Sequence, residues 1–548
     1  MATQMDINKY KQMEIGAANE SYLIERENEP LCLEQELNVN LGQKPIDNLT
    51  KTPKAIWYII PTMVCGNFAS QVIYSFLFTY LVKAFGLDFE QTKAQLKNFN
   101  TMNYLFPLLG AIISDSWLTR YHSIVYFSII YFIGIILMAV FSIDGLVAQY
   151  GSYPVWTIML PLVLVAFGTS GTQPTLYSHG GDQYLPHQTA ALDWYFALVY
   201  LTVNIGALLA QFMPLLNANL VCWGAECYFA SFTIPAIPLG VALIVFIVGF
   251  KHYRVVPAIG EFLPWKALKG IVYAVKKYKS ATSNERRRRG NWLNFAEEQV
   301  GPLFIEEIRM LGKVLGMMLP ITFFRVIYHQ QVWTQIQQYD MMNKSWGSIV
   351  IATEQSFIFS IILPIIFVPI CTKLLYPYLE RRGIRFYLLR RMAVGFSLII
   401  LSLSLSYGLQ HMVILKHEQL SGNYGREREC PNCLHGAWQL PQWILLALGE
   451  AMVAPSGLQF AYTQVGPQMK STSSAFWMIL VSLDNLIRVA INNAWVDESL
   501  QGTSKYIFYC GIGLAANIVF CFLATKYTYK EDRDAETLAA AIERKEQH

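Results

Sequence analysis

The sequence has little charge for its length: 15% of its 548 residues are charged, whereas 54% are hydrophobic. A soluble chain of this size normally divides into several domains that carry far more charge on their surfaces. The formal net charge of +4 is also too small to indicate a nucleic-acid partner. The small charged fraction and the small net charge exclude an ordinary soluble protein and a nucleic-acid binder, and the high hydrophobic content favours a polytopic membrane protein.

The first 55 residues lack an apolar run of signal-peptide length and include acidic stretches. We therefore expect no cleaved signal and predict a cytosolic tail over residues 1–55. Zinc-site spacing is missing as well, because no second cysteine or histidine pair follows Cys430 and Cys433 at a suitable distance. The pairs Cys222–Cys227 and Cys430–Cys433 are instead predicted to form short-range disulfides on the outer face.

Long hydrophobic runs, in contrast, are abundant, and a run of roughly 20 residues is long enough to cross a bilayer as a helix. The sequence predicts an all-α membrane protein with twelve spans, near residues 56–84, 98–118, 123–143, 153–176, 192–215, 227–250, 312–335, 352–378, 389–410, 439–463, 473–494 and 505–525. Six spans on each side of a basic linker are typical of the major facilitator fold, in which two bundles move around a central site. The predicted tail, first bundle, linker, second bundle and C-terminal tail are residues 1–55, 56–250, 251–311, 312–525 and 526–548.

The distribution of positive charge predicts the orientation. Lysine and arginine concentrate in the linker, which contains the run Arg286–Arg289, whereas the loops near 144–152 and 216–226 contain neither residue. By the positive-inside rule, the linker and both termini are expected to be cytosolic. The arginine run is also compatible with anionic lipid, although a topology signal is the favoured interpretation.

Small residues within the spans predict where helices approach each other. Gly206, Gly316 and Gly457 are expected to allow close helix packing. Several prolines, among them Pro320 and Pro455, are expected to bend their helices. Ordinary packing is the favoured explanation for most of these positions.

Charged side chains inside a membrane are costly, so each is a candidate functional residue. Asp484 and Arg488 lie four residues apart on one predicted helix face and are expected to neutralise each other. Arg325 and His329 share this spacing but repel each other when His329 is protonated, so they require a nearby anion. Glu450, which is alone in an otherwise apolar run, is the predicted partner.

Several stretches carry motifs that occur together in one family. Residues 110–121 read Gly-Ala-Ile-Ile-Ser-Asp-Ser-Trp-Leu-Thr-Arg-Tyr. Further motifs are Gly180-Gly181-Asp182-Gln183, the run Tyr200-Leu201-Thr202-Val203-Asn204-Ile205-Gly206-Ala207-Leu208, Asn291-Trp292-Leu293-Asn294-Phe295-Ala296, Gln330-Gln331, Gly449-Glu450, Gly457-Leu458 and Phe460-Ala461-Tyr462. Together they resemble the proton-dependent oligopeptide transporter family, a branch of the major facilitators, and most closely its animal peptide transporters.

This resemblance implies that di- or tripeptides bind in a central cavity and that inward proton flow drives their transport. Carried over by position, the implied substrate-binding residues are Tyr200, Asn204, Arg325, Gln331 and Glu450. Tyr200 and Asn204 would contact the peptide backbone, and Glu450 would pair with the amino terminus. The residues assigned to proton coupling or gating are Lys97, Asp115, Lys313 and His329, with Lys313 in a gating salt bridge.

The chain departs from the family pattern at its ionisable positions. The glutamate- and arginine-containing motif of the first helix is replaced by Met63-Val64-Cys65-Gly66-Asn67. Lys97 stands where animal members have a histidine, and Gln173 stands in place of a lysine. In the seventh helix, Arg325 replaces an aromatic residue and His329 an acidic one. We therefore expect proton coupling to be altered.

The sequence favours a secondary transporter of small peptides or peptide-like solutes. The alternative is a sensor or scaffold that keeps the fold without transporting. An enzyme is disfavoured, since we find no nucleophile–base arrangement, metal-ligand cluster or phosphate loop. Expected partners are peptides and the lipid bilayer, with protons as the possible coupling ion, and neither a cofactor nor an obligate protein partner. The plasma membrane is favoured over an endolysosomal membrane.

Overall fold

Each apolar run predicted to cross the membrane forms a helix in the structure, a computed structural model. The structure describes residues 52–83, 85–143, 155–185, 188–217, 220–222, 225–256, 260–347, 349–420, 433–491 and 503–530. Residues Thr52–Thr525 form one compact unit, whose described residues make up the architecture below.

Among the described residues, twelve helices at the positions of the predicted spans, α1 to α12, make up most of this unit. The first six are α1 (Ile56–Lys83), α2 (Phe89–Ser116), α3 (Arg120–Phe141), α4 (Val155–Gly181), α5 (Thr189–Gln211) and α6 (Tyr228–Val248). The second six are α7 (Pro302–Asp340), α8 (Phe359–Ile370), α9 (Leu388–Leu420), α10 (Leu440–Thr463), α11 (Lys470–Ile491) and α12 (Ser504–Lys526). Within the described residues, ten helices are long and apolar enough to span a membrane. The protein is therefore an all-α membrane protein, as the sequence predicts.

Helix boundaries follow local signals. Asp88 caps α2 by accepting a hydrogen bond from the backbone N–H of Gln91 at 2.7 Å, as short polar residues commonly do at helix starts. Gly301, with φ near +85°, precedes Pro302 at the first position of α7, where a proline loses no hydrogen bond. Because of this start signal, α7 begins well before residue 312, the predicted start of the second bundle.

The helix α8 is extended by a turn of different geometry. A π-helical turn over Cys371–Leu375 follows α8 and leads into a short helix, Tyr376–Arg381. Pro364 and Pro369 lie inside α8. Proline has no N–H for the regular helical bond, and interruptions of this kind commonly accompany π turns. The result is one bent, membrane-length segment in place of a straight helix.

Close helix contacts occur at small residues. A Cβ atom on Gly206 would lie 2.7 Å from the backbone nitrogen of Phe68, and one on Gly457 would lie 2.0 Å from the ring of Trp477. These contacts confirm the close packing predicted at Gly206 and Gly457, and they show that α5 approaches α1 and α10 approaches α11 there. The prediction for Gly316 is wrong, because a Cβ there would meet no atom within 4 Å.

The two ends of the bundle carry different structures. One end, here called the hairpin face, carries two hairpins, β1–β2 (Val221–Cys222 with Ala225–Glu226) and β3–β4 (Ser345–Trp346 with Ile349–Val350). The opposite end, the linker face, carries the end of α2, the start of α3 and a helix over Leu263–Ser280. It also contains the loop between α10 and α11.

A disulfide joins Cys222 to Cys227 beside the first hairpin, as predicted. Cys433 is also disulfide-bonded. Its predicted partner, Cys430, lies outside the described residues, so this second pairing stays a prediction.

Candidate functional site

Arg325 of α7 and Glu450 of α10 form a buried ion pair. Nη1 of Arg325 donates to Oε1 of Glu450 at 2.9 Å, and Glu450 is only 5% exposed. Pro320 and Pro455 lie inside the same two helices, each about one turn from the pair, where they remove regular backbone hydrogen bonds. The structure thus confirms Glu450 as the anion that Arg325 requires.

His329 continues this chain of charges away from Glu450. Nη2 of Arg325 contacts Nε2 of His329 at 3.2 Å, and Nδ1 of His329 is hydrogen-bonded to Oδ2 of Asp484. A guanidinium can only donate, so Nε2 accepts and Nδ1 carries the single ring proton. A second proton on Nε2 would face the guanidinium and break this contact. The contact between Arg325 and His329 therefore requires an imidazole that is unprotonated at Nε2.

Asp484 of α11 contacts a second residue in addition to its predicted partner, Arg488. Nε of Arg488 lies 3.4 Å from Oδ2 of Asp484, in agreement with the predicted neutralisation. The same carboxylate oxygen also binds His329, which the sequence does not indicate. Glu450, Arg325, His329, Asp484 and Arg488 consequently form one continuous sequence of contacts across α10, α7 and α11, which we call the buried charge chain.

Aromatic and amide groups surround the Glu450 end of this chain. The guanidinium of Arg325 lies 5.0 Å from the ring centre of Tyr328. Tyr200 of α5 lies near Glu450, and the side-chain amide of Asn204 donates to the backbone carbonyl of Tyr200 at 3.0 Å. Two of the predicted substrate-binding residues of the first bundle therefore lie on the helix that approaches Glu450.

The corresponding surroundings in the first bundle are polar but uncharged. Asn67 donates to Thr202 at 3.3 Å, and Gln173 donates to Asn67 at 3.3 Å. These groups border a cavity between α1, α3, α4 and α6, which is lined by Thr62, Met63, Gly66, Asn67, Ser128, Tyr131, Thr169, Thr172, Gln173, Leu176, Tyr177 and Leu239. A network of neutral amides and hydroxyls thus occupies the positions where the resembled family has charged groups.

Arg120 is the centre of an ion cluster at the linker face. It binds Asp182 and lies 3.4 Å from Asp115. It also donates to the hydroxyl of Ser471 at 2.9 Å and to the carbonyl of Pro467 at 3.1 Å. Since Arg120 belongs to the first bundle and Ser471 and Pro467 to the second, these contacts join the two bundles.

The acidic members of this cluster also reach the second bundle. Asp182 accepts from Tyr462 at 2.7 Å and from Lys470 at 3.3 Å. Asp115 accepts from the backbone N–H of Thr472 at 2.8 Å and from its hydroxyl at 2.9 Å. The linker-face cluster consists of Asp115, Arg120, Asp182, Tyr462, Lys470, Ser471 and Thr472. It holds the bundles together at this face, which is a suitable arrangement for a gate.

A second contact between the bundles lies nearby. Asp193 of α5 pairs with Arg391 of α9 at 2.8 Å and accepts from Gln459 of α10. The ammonium of Lys373 lies 3.9 Å from the ring centre of Trp194, a cation–π contact. Across the described residues, two ion pairs connect the bundles, Lys470–Asp182 and Arg391–Asp193, and both lie at the linker face.

Three sequence candidates lie apart from the buried charge chain. Lys97 and Lys313 are exposed, and the part of the chain that the structure describes contains no ion pair for either. Gln331 is fully buried and donates to Ser402 at 3.3 Å and Ser406 at 2.5 Å, both on α9. It therefore faces the interior of the second bundle. In the described ranges, no group of three histidine, cysteine or acidic residues is placed to hold a metal ion.

The structure adds residues that sequence reasoning did not assign to the site. No charge argument identifies Tyr328 as a site residue. Its position next to His329 in the sequence of α7 could have indicated it. Arg120, Asp182 and Tyr462 stand within the quoted motifs, but only contacts between distant segments show that they form one cluster. Lys470 and Arg391 carried no signal beyond their place in basic loops.

Gly181→Ala is expected to weaken closure at the linker face. A Cβ atom there would lie 2.7 Å from the ring of Tyr462, which is buried and bonded to Asp182. Overpacking of this kind costs about 1–3 kcal/mol, so the open population should rise roughly tenfold. The measurement is the maleimide labelling rate of a Ser474→Cys reporter, because Ser474 is buried against Ser178.

Gly316→Ala is the matched control for this experiment. Its added Cβ meets no atom within 4 Å, so labelling of the reporter should not change. Equal labelling rates in both variants would show that the contact of Gly181 with Tyr462 does not control access.

The sequence of this chain is similar to a known protein family and to several of its curated members. The sequence model of the POT family matches residues 121–506. Human "Solute carrier family 15 member 2" is 28% identical over 361 residues, which cover 65% of this chain and 49% of that protein. "Peptide transporter family 1" of Drosophila melanogaster is 30% identical over 367 residues, which cover 65% of this chain and 48% of that protein. This chain spans about half the length of the curated relatives it matches.

Solved structures agree on the fold. The crystal structure of "the POT family transporter PepTSo" aligns with a TM-score of 0.58 at 24% identity, covering 87% of this chain and 99% of that chain. An "auto inhibited POT family peptide transporter" aligns with a TM-score of 0.57 at 22% identity, covering 87% of this chain and 98% of that chain. At this level of identity the likeness concerns the fold alone.

Proposed function

Because this chain belongs to the POT family, we propose that it is a secondary active transporter, which moves small peptides or peptide-like solutes across a membrane by alternating access. The observation that carries this proposal is the buried charge chain from Glu450 to Arg488. Charges at membrane depth are costly and usually mark substrate or ion pathways. A purely structural bundle has no need of five ionisable groups in one place.

The linker-face cluster supports the alternating-access part of the proposal. Its contacts join segments of both bundles through exchangeable hydrogen bonds and ion pairs. Separation of these contacts would open the site toward the linker face. We propose that this face is cytosolic, with both termini on the same side, because the positive-inside rule predicts that a basic linker stays in the cytosol. The plasma membrane remains our proposed location.

Proton coupling is proposed to use His329 of the second bundle. The first helix contains no ionisable group at Met63, Gly66 or Asn67. His329, by contrast, stands between a guanidinium and a carboxylate, and an imidazole ordinarily titrates near physiological pH. A proton that arrives at His329 would break its contact with Arg325 and so alter the pair of Arg325 with Glu450.

The proposal is tested by uptake of a radiolabelled dipeptide into proteoliposomes that contain the purified chain, with and without an inward acid gradient. We expect uptake above that of protein-free vesicles, with an increase when the gradient is applied. The uncharged network of Asn67 and Gln173 favours the sensor or scaffold as the second candidate. Saturable dipeptide binding without uptake would support that candidate over a transporter.

The solute's carboxylate is expected to matter little for recognition. The cavity of the first bundle is lined by uncharged residues, and an unpaired carboxylate buried there would be costly. A dipeptide amide should therefore compete with the labelled dipeptide within about threefold of the free acid, a difference under 1 kcal/mol. An N-acetyl dipeptide should compete poorly, because it has no ammonium to pair with Glu450.

The double variant Asn67→Arg/Gln173→Lys provides a gain-of-function control. Two cations in the neutral network should restore a preference for the free carboxylate over the amide. A strong preference for the free acid in the unmodified chain would contradict the assignment of a neutral site, while leaving peptide transport itself intact.

A further inference from the structure

The linker helix Leu263–Ser280 presents two different faces. Its inner face contributes Leu263 and Ala274 to an apolar cluster with Leu293, Phe304 and Met469. Lys266 supports this side, with its ammonium 4.9 Å from the ring centre of Phe304. The helix is therefore held firmly against the second bundle, and its outer face points away from the protein.

The outer face is apolar over much of its length. Five side chains follow each other at intervals of three or four residues and are between 38% and 54% exposed: Phe262, Trp265, Leu268, Val272 and Val275. This spacing places them along one side of a helix. A continuous apolar strip of this kind on a protein surface usually marks an interaction site. We call these five residues the outer strip.

The strip begins where helix α2 ends. The backbone N–H of Gly260 donates to the carbonyl of Ser116, the last residue of α2, at 2.9 Å. The N–H of Leu263 donates to the hydroxyl of Ser116 at 3.2 Å. Trp117 stacks on Phe262 with ring centres 5.1 Å apart. Exposed aromatic rings at the end of a span are typical of the membrane–water boundary.

Basic side chains accompany the strip on the same surface. Lys269, Lys276 and Lys279 are exposed, and the structure as described contains no ion pair for them. Arg287 and Arg288 follow in the next short helix and are also exposed. An amphipathic segment with aromatic and aliphatic residues beside lysines is the pattern of a helix that lies in the headgroup region of a bilayer.

Two other basic residues of the linker are already used within it. Glu298 binds Lys277 at 2.7 Å and Arg289 at 2.6 Å. These hydrogen bonds lower the pKa of Glu298 to about 2, so its carboxylate is charged at neutral pH. Arg286 donates to the carbonyls of Tyr278 and Lys279. Some basic residues of the linker therefore form contacts within it, whereas Lys269, Lys276 and Lys279 are exposed on its outer surface.

We propose that the outer strip is inserted into the adjacent leaflet of the bilayer and that Lys269, Lys276 and Lys279 bind anionic phospholipid headgroups there. Apolar contact with acyl chains explains the strip, and charge complementarity explains the lysines beside it. This surface is separate from the buried charge chain, so the inference does not depend on which solute is transported.

Photo-cross-linking of the full chain tests the insertion. Benzoylphenylalanine is placed at Leu268, at Ile271 or at Asn284, and each purified variant is reconstituted in nanodiscs of phosphatidylcholine with phosphatidylglycerol. After illumination, intact mass should show a phospholipid adduct at position 268 that is several-fold more abundant than at position 284. Position 271, on the half-buried side, should react with protein. A cross-linked dimer or no lipid adduct at position 268 would overturn the insertion.

Thermal stabilisation by anionic lipid tests the charge recognition. Addition of phosphatidylglycerol to nanodiscs of phosphatidylcholine should raise the Tm of the unmodified chain. The variant Lys269→Gln/Lys276→Gln/Lys279→Gln should lose most of this rise. The matched control, Lys93→Gln/Lys416→Gln, removes exposed lysines at the start of α2 and near the end of α9, both toward the hairpin face, and should keep this rise. An equal rise in the triple variant would refute anionic recognition by these lysines.

Discussion

Glu450→Gln is expected to reduce dipeptide uptake by at least about 100-fold, because removal of one partner from a buried charge pair costs about 3–5 kcal/mol. The glutamine cannot neutralise Arg325, whose guanidinium lies 2.9 Å from the carboxylate. It also cannot pair with the ammonium of a peptide. Uptake and dipeptide affinity should therefore fall together, and the unfolding temperature should fall as well.

The double variant Arg325→Gln/Glu450→Gln separates the two roles of Glu450. If the carboxylate only neutralises Arg325, the double variant should recover both heat stability and dipeptide binding. If it also holds the ligand's ammonium, as we propose, stability should recover while binding stays lost. Glu380→Gln, at an exposed position, is the control for loss of a carboxylate. A well-folded Glu450→Gln protein with unchanged dipeptide affinity would defeat the ligand role.

His329→Gln is expected to flatten the pH dependence of uptake while leaving dipeptide binding measurable. Glutamine can still accept from Arg325 and donate to Asp484, but it cannot take up a second proton. In the proposed coupling, protonation of His329 would break its contact with Arg325. The acid-driven rise in uptake should therefore shrink roughly tenfold, the change expected for about 1.4 kcal/mol of lost coupling.

The measurement is initial uptake across a series of external pH values at constant membrane potential. His411→Gln is the matched control, since His411 is an exposed histidine on α9 whose ring contacts the hydroxyl of Tyr407. It should leave the pH profile unchanged. An unaltered profile in His329→Gln would eliminate His329 as the coupling group and direct attention to Asp484 or Glu450.

Much of the fold followed from the sequence because the membrane imposes a simple rule. A helix that crosses a bilayer must be long and apolar, and each predicted run forms a helix. The boundaries were less accurate where local signals compete with hydropathy. The helix α7 begins at Pro302 because of Gly301 and the proline itself, whereas the apolar run that predicted it begins later.

Part of the site was also accessible to sequence reasoning. Arg325 and His329 are four residues apart, about one helical turn, and together they need an anion. Glu450, in a distant apolar segment, was the candidate, and it is the partner of Arg325 in the structure. The bond between His329 and Asp484 was not accessible, since 155 residues separate them and Asp484 already had a partner in Arg488. Gln331 shows the same limit, because the direction of its side chain toward α9 depends on the rotation of α7.

The sequence by itself determined the membrane class, the positions of the apolar helices and the presence of costly charges within them, since transfer to a bilayer depends on composition over short windows. Only the tertiary structure decided which of these charges meet. Lys470 reaches Asp182 across 288 residues, and His329 reaches Asp484 across 155. The physical reason is that an ion pair depends on a few ångströms of separation, and that separation is set by how the helices pack.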